Sequence, residues 1–193
     1  MPQSFDQNND TYRILDEMGI QYNAGFQEGV IFAPGHQDDA WPYQMEGHNF
    51  YAVPVSTYSL SDKKVPLHDR YFKENGLTSS QWYDALTGKF SEAQNNDEPV
   101  VIVLTASISG NGEYQDVLTQ FLDLVVTQDA SFVTTMDLVN MSRQKGYQPP
   151  APASKVCTTC GQEDEKSVEI GVVVASNNTT DVATIDSASI TKN

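Results

Sequence analysis

The run Pro99-Val100-Val101-Ile102-Val103-Leu104-Thr105 sets the tightest limit on what this chain can fold into. It is β-branched and apolar at successive positions, so a strand built from it has no face to turn towards water. A half-exposed hairpin strand would alternate instead. A strand of this kind belongs in a parallel sheet, with helices on one side and core on the other.

The flanking sequence supplies those helices. Residues 114–126 carry Val117, Leu118, Phe121, Leu122 and Val125 on one side of a helix. Ser131-Phe132-Val133 reads as a short strand, and Thr134 or Thr135 caps a helix running through Met141. Upstream, Thr78-Ser79-Ser80-Gln81 has the form of a capping box opening a helix through Trp82, Leu86 and Phe90. Phe50-Tyr51-Ala52-Val53-Pro54-Val55 is a strand, and so is Ile20-Gln21-Tyr22-Asn23-Ala24. Asn9-Asp10-Thr11 caps a first helix with Tyr12, Ile14, Leu15 and Met18 as its apolar stripe, stopping at Gly19. Residues 25–48, punctuated by Gly25, Gly29, Pro34-Gly35, Pro42 and Gly47, read as loop.

Strands alternating with helices imply parallel pairing through crossover helices. The expected fold class is therefore α/β, with only about four such units where a closed barrel takes roughly 250 residues. The expectation is a partial (β/α) barrel, followed by a small β-rich tail. Residues 1–143 form its body and residues 144–155 a linker, marked by Gln148-Pro149-Pro150-Ala151-Pro152-Ala153-Ser154. Residues 156–193 form the tail. There Val168-Glu169-Ile170-Gly171-Val172-Val173-Val174 and Val182-Ala183-Thr184-Ile185 flank the turn-prone Asn177-Asn178-Thr179-Thr180, as in a hairpin.

Charge and composition narrow the partners. With 26 acidic and 11 basic residues the formal charge is −15, which repels nucleic acid and anionic membrane alike. Nothing in the sequence is long and apolar enough to span a bilayer. The stretch Met1-Pro2-Gln3-Ser4-Phe5-Asp6 has no secretion-signal character.

Four stretches together resemble the polysaccharide deacetylase family. Met1-Pro2-Gln3-Ser4, with Asn8 to Tyr12 and Leu15-Asp16-Glu17-Met18-Gly19-Ile20, is similar to its Arg-x-Pro segment and the helix after it. Gly47-His48-Asn49-Phe50-Tyr51-Ala52-Val53-Pro54-Val55-Ser56-Thr57-Tyr58 resembles a following strand. Residues 99–110 resemble the strand that ends in a Leu-x-His type motif, and Phe132-Val133-Thr134-Thr135-Met136-Asp137-Leu138-Val139 the closing strand and helix. The resemblance spans residues 1–143.

It implies an enzyme that removes N-acetyl groups from sugar polymers. A divalent metal such as zinc, held by one Asp and two His, would polarise the acetamide, and a late His would protonate the amine. It also implies an extracellular or cell-surface setting for the intact parent. The metal-binding segments and the Arg would lie upstream of Met1, and Thr105 stands where the late His belongs. A threonine hydroxyl does not exchange protons near neutral pH as an imidazole does. The expectation is an inactive piece of a carbohydrate deacetylase or, alternatively, a non-catalytic carbohydrate-binding or cell-surface module. A third reading is a structural element that assembles through its tail cysteines. Self-association through an unpaired, apolar sheet edge at residues 99–105 is expected if the barrel lacks its first strands.

The remaining candidates have two readings each. Trp41 and Tyr43 either stack on a sugar ring at the barrel mouth or cover a core edge. Cys157-Thr158-Thr159-Cys160-Gly161 has the shape of a zinc knuckle, but one knuckle is half a site. A local disulfide or two free thiols is the stronger reading of Cys157 and Cys160. His36, His48 and His68 have no metal-ligand spacing and read as hydrogen-bonded or exposed loop histidines.

Overall fold

The computed structural model describes residues 7–146 and the backbone of a further strand, Glu169–Ala175. The first helix, α1 (Asn9–Glu17), is opened by Asn8, whose side chain accepts from the Thr11 N–H. It leads into β1 (Tyr22–Gln27), followed by a long connection holding the two-residue β2 (Tyr43–Gln44) and then β3 (Tyr51–Val55). A hairpin of β4 (Thr57–Leu60) and β5 (Lys63–Pro66) precedes the short α2 (Asp69–Glu74). The long α3 (Ser79–Asn96) feeds β6 (Val100–Thr105) and the single turn α4 (Ala106–Ser109). Then come α5 (Gly112–Thr127), β7 (Ser131–Val133), α6 (Thr135–Lys145) and β8 (Glu169–Ala175).

The fold is mixed α/β, and among the described residues none of the sheets closes into a barrel. β1 runs parallel to β3, with β2 antiparallel on the other side of β3. β6, β8 and β7 form a second parallel set in that order. The two sets meet through a strand that the hairpin interrupts. The Leu67 N–H donates to the Ser56 carbonyl at 2.8 Å, so residues 57–66 leave the strand and return to the place they left. On one side of this splice the Ser56 N–H donates to the Val101 carbonyl, and on the other the Val103 N–H donates to Leu67. His68 then lies parallel beside Val103. Functionally, β3 and Leu67–His68 are one strand flanking β6.

β6 is covered as its sequence demands. Val100, Ile102 and Leu104 pack with Trp82, Leu86 and Phe90 of α3 and with Phe121 and Val125 of α5. Val101 faces the other way, onto Val53, Trp41, and Leu138 and Val139 of α6. The third cluster, under α1, joins Phe26, Tyr43, Met45 and Phe50, with Tyr12 and Leu15 packed against it.

Several local expectations change in the folded chain. β1 starts later than Ile20 and continues through Gly25 to Gln27, because a register shift between Asn23 and Phe26 lets the strand bulge. The Gln7 amide lies across that bulge, bonded to the Gly25 carbonyl and to Asn23, where a Cβ on residue 25 would collide with it. The β4–β5 hairpin turns at Ser61-Asp62, both at positive φ, a two-residue turn of the primed type made without glycine.

The tail strand is the largest departure. Residues 169–175 form a strand, but it pairs in parallel with β6 on one side and β7 on the other. The apolar edge expected along residues 99–105 is therefore hydrogen-bonded on both sides. Val182-Ala183-Thr184-Ile185, expected as the strand's hairpin partner, lies outside the described residues.

One ion pair ties the inserted hairpin region to the body. Lys89 of α3 is buried at 2% exposure, and its Nζ contacts the Glu28 carboxylate at 2.7 Å, with Glu98 at 3.9 Å. Glu28 also accepts from the Thr57 N–H, and its backbone carbonyl accepts from the Thr57 hydroxyl. Burial pushes the Glu98 carboxyl up, and the Lys89 ammonium opposes that shift. Removing the cation leaves acidic groups short of water and of a partner. Lys89→Ala should therefore lower unfolding stability by about 3 kcal/mol. Adding Glu28→Gln should restore part of it, as denaturant melts of the single and double variants would show.

Candidate functional site

The carboxyl end of β6 and the splice beside it bring His68, Asp69 and Thr105 together. In parallel α/β folds that end of the sheet is where ligands bind. Asp69 is fully buried, and its two carboxylate oxygens accept from the Arg70 N–H at 2.6 Å and the Thr105 N–H at 2.7 Å. His68 sits at the N-cap of α2, its Nε2 4.0 Å from the Asp69 carboxylate, and burial pushes its pKa below the ordinary value. Thr105 is 1% exposed, and its hydroxyl has no hydrogen-bond partner among the described residues.

These residues do not fit the metal that the family resemblance implies. Both Asp69 oxygens are already engaged by backbone amides, and the hydroxyl of Thr105 is a poor ligand beside imidazole or carboxylate. Among the described residues no group of three or more His, Cys, Asp or Glu side chains is arranged to hold a metal ion. Cys157 and Cys160 lie outside the described residues.

A separate cleft of about 310 Å³ opens between α1 and the connection from β1 to β3. Tyr12 and Asn9 line it from α1, Phe32, Ala33, Pro34 and His36 from one arm of the connection, and Met45, Glu46 and His48 from the other. Phe32 is 43% exposed, an unusual position for a large apolar ring. Tyr12 packs edge-on to His48, with ring centroids 5.4 Å apart.

Both cleft histidines are held by a carboxylate through Nδ1. His36 contacts Asp39 at 2.6 Å, and His48 contacts Asp16 at 2.6 Å. An aspartate at Nδ1 fixes the ring's orientation and leaves Nε2 as the nitrogen for a ligand. Asp16 also accepts from the Asn49 N–H, and that bond, followed by the one to His48, holds its carboxyl below the ordinary range. α1 and the loop at His48 are thus joined at the rim of the cleft.

Neither Trp41 nor Tyr43 is among the residues that line this cleft. Trp41 is 5% exposed, donates its Nε1–H to the Asp97 carbonyl, and carries the Lys145 ammonium 3.9 Å from its ring centroid. Tyr43 is 3% exposed, accepts from the Ala33 N–H, and is stacked at 3.8 Å by His36. Burial pushes its hydroxyl pKa up to about 12. Trp41 is buried with Val53, Val101 and Leu138, and Tyr43 with Phe26, Met45 and Phe50. Tyr43 also borders a second hollow of about 260 Å³, with Gln44, Tyr51, Ser142 and Arg143. The ring surface open to the first cleft belongs to Tyr12 and Phe32, which the sequence reading passed over as a helix stripe and a loop residue. Phe32 between Gly29 and Pro34-Gly35, an aromatic isolated in a turn-rich segment, was the available signal.

No family model, curated protein or solved structure matches this chain. The geometry of Thr105 nonetheless has a direct consequence. Its backbone, not its hydroxyl, serves Asp69, so the hydroxyl is a buried polar group without a partner among the described residues. Thr105→Val keeps the shape and the bond to Asp69 while removing that group. The variant should be more stable by about 1 kcal/mol in denaturant titrations; a loss of stability would mean that the hydroxyl has a partner in solution.

Proposed function

We propose that this chain is a carbohydrate-binding α/β module of the polysaccharide deacetylase type, a piece of a (β/α) barrel that holds sugar without hydrolysing its acetamide. The observation that carries this reading is the cleft between α1 and the β1–β3 connection. Tyr12 and Phe32 give it aromatic surface for the apolar face of a pyranose. His36, His48, Glu46 and Asn9 line the same cleft and bring hydrogen-bond donors and acceptors to it. Two of those groups are already fixed by Asp39 and Asp16, so little side-chain freedom is lost on binding.

The non-catalytic part of the reading rests on Thr105. An imidazole there would stand at the carboxyl end of β6 and exchange protons with a leaving amine. The threonine does not, and Asp69 beside it is occupied by backbone amides.

Calorimetric titration with neutral oligosaccharides, N-acetylated chito-oligosaccharides among them, tests the reading. Binding is expected, and Phe32→Ala should weaken it about fivefold, by about 1 kcal/mol, with an unchanged circular dichroism spectrum. Acetate release in the presence of zinc should stay at background. The absence of binding to every sugar tried would remove the reading, and chelator-sensitive acetate release would replace it with a catalytic one.

A further inference from the structure

The sheet order β6-β8-β7 carries an inference independent of the sugar cleft. β6 and β7 are successive strands joined by α5, and a crossover of that kind ordinarily places its two strands side by side. Here they stand one strand apart. The gap is filled by Glu169–Ala175, which comes after residues 146–168. Six successive residues of β8, Ile170 to Ala175, match Val100 to Thr105 of β6 in parallel register, and Glu169 to Gly171 match β7.

A central strand delivered from so far along the chain need not come from the same molecule. Stretched out, residues 146–168 reach on the order of 70 Å, beyond the width of a domain this size. The body therefore has a strand-shaped slot, and each chain carries one strand that fits it. The same backbone pairs form whether donor and acceptor belong to one copy or two, so exchange preserves every hydrogen bond of the slot. We propose that the slot between β6 and β7 is a dimerisation site, in which Glu169–Ala175 of a second copy of this chain replaces the chain's own strand. Ile170, Val172, Val173 and Val174 give that strand the apolar composition of a buried parallel strand.

Paired cysteines distinguish exchange from a fixed intramolecular strand. Val103 and Val173 are register partners, and neighbouring strands lie about 4.8 Å apart, within the reach of a disulfide. In a background carrying Cys157→Ser and Cys160→Ser, one chain would carry V103C and a second V173C, refolded together at high concentration under oxidation. The expected product is a disulfide-linked heterodimer whose share rises with protein concentration, with neither variant cross-linking to itself alone. A chain bearing both substitutions should close an internal disulfide when dilute. If that chain closes but the mixture never cross-links at any concentration, the strand is fixed in its own molecule and the proposal fails. If neither bond forms, the slot is not filled by this strand, and the proposal fails for that reason.

Discussion

A strand buried on both faces must also have both edges hydrogen-bonded, because the backbone groups there reach no water. The body is organised around meeting that requirement for β6. One edge is served by Ser56 and Leu67–His68, the other by β8. The two partners come from opposite directions along the chain, one before β6 and one far after it. Everything at the carboxyl end follows from the first of them. Since Leu67–His68 lies against Val103, the next residue, Asp69, is carried to the Thr105 amide and sealed there.

An acidic chain has few cations to place, and three of them hold seams. Lys89 is enclosed by Glu28 and Glu98 where α3 meets the residues leaving β1. Arg143 and Lys145, in the last turn of α6, lie over the rings of Tyr51 and Trp41 at 4.5 and 3.9 Å. Cations at a helix C-terminus are favoured by the helix dipole, and a ring face adds a second attraction. α6 is thus held both by Leu138 and Val139 inside and by two charged stems outside.

Much of the secondary structure was legible because it is set locally. The capping box at Thr78 and Gln81 forms as the sequence implies, Thr134 caps α6, and the strand at residues 100–105 is where its apolar run lies. What was not legible depended on partners distant in sequence. The bulge at Gly25 read as a loop because its amide partner, Gln7, is a polar residue in an unremarkable stretch. The β4–β5 hairpin carried no Asn-Gly or Asp-Gly signal, since Ser61-Asp62 enters the left-handed region without glycine. The tail strand was visible as a strand, but β-branched composition says nothing about which sheet will receive it. The cleft was harder still. Tyr12, Phe32, His36 and His48 come from three separate segments, and neither histidine shows its aspartate in a spacing that sequence patterns recognise.

The splice at Ser56 and Leu67 makes the β4–β5 hairpin a closed detour. Its two ends are joined by a backbone hydrogen bond, so the strand on either side does not register how long the detour is. The entropy of closing such a detour grows only with the logarithm of its length. Its tip, Ser61-Asp62, is exposed and far from the bond that closes it. This is where the fold can take on new length, a reporter peptide or a longer arm, without moving β3, β6 or the buried aspartate between them.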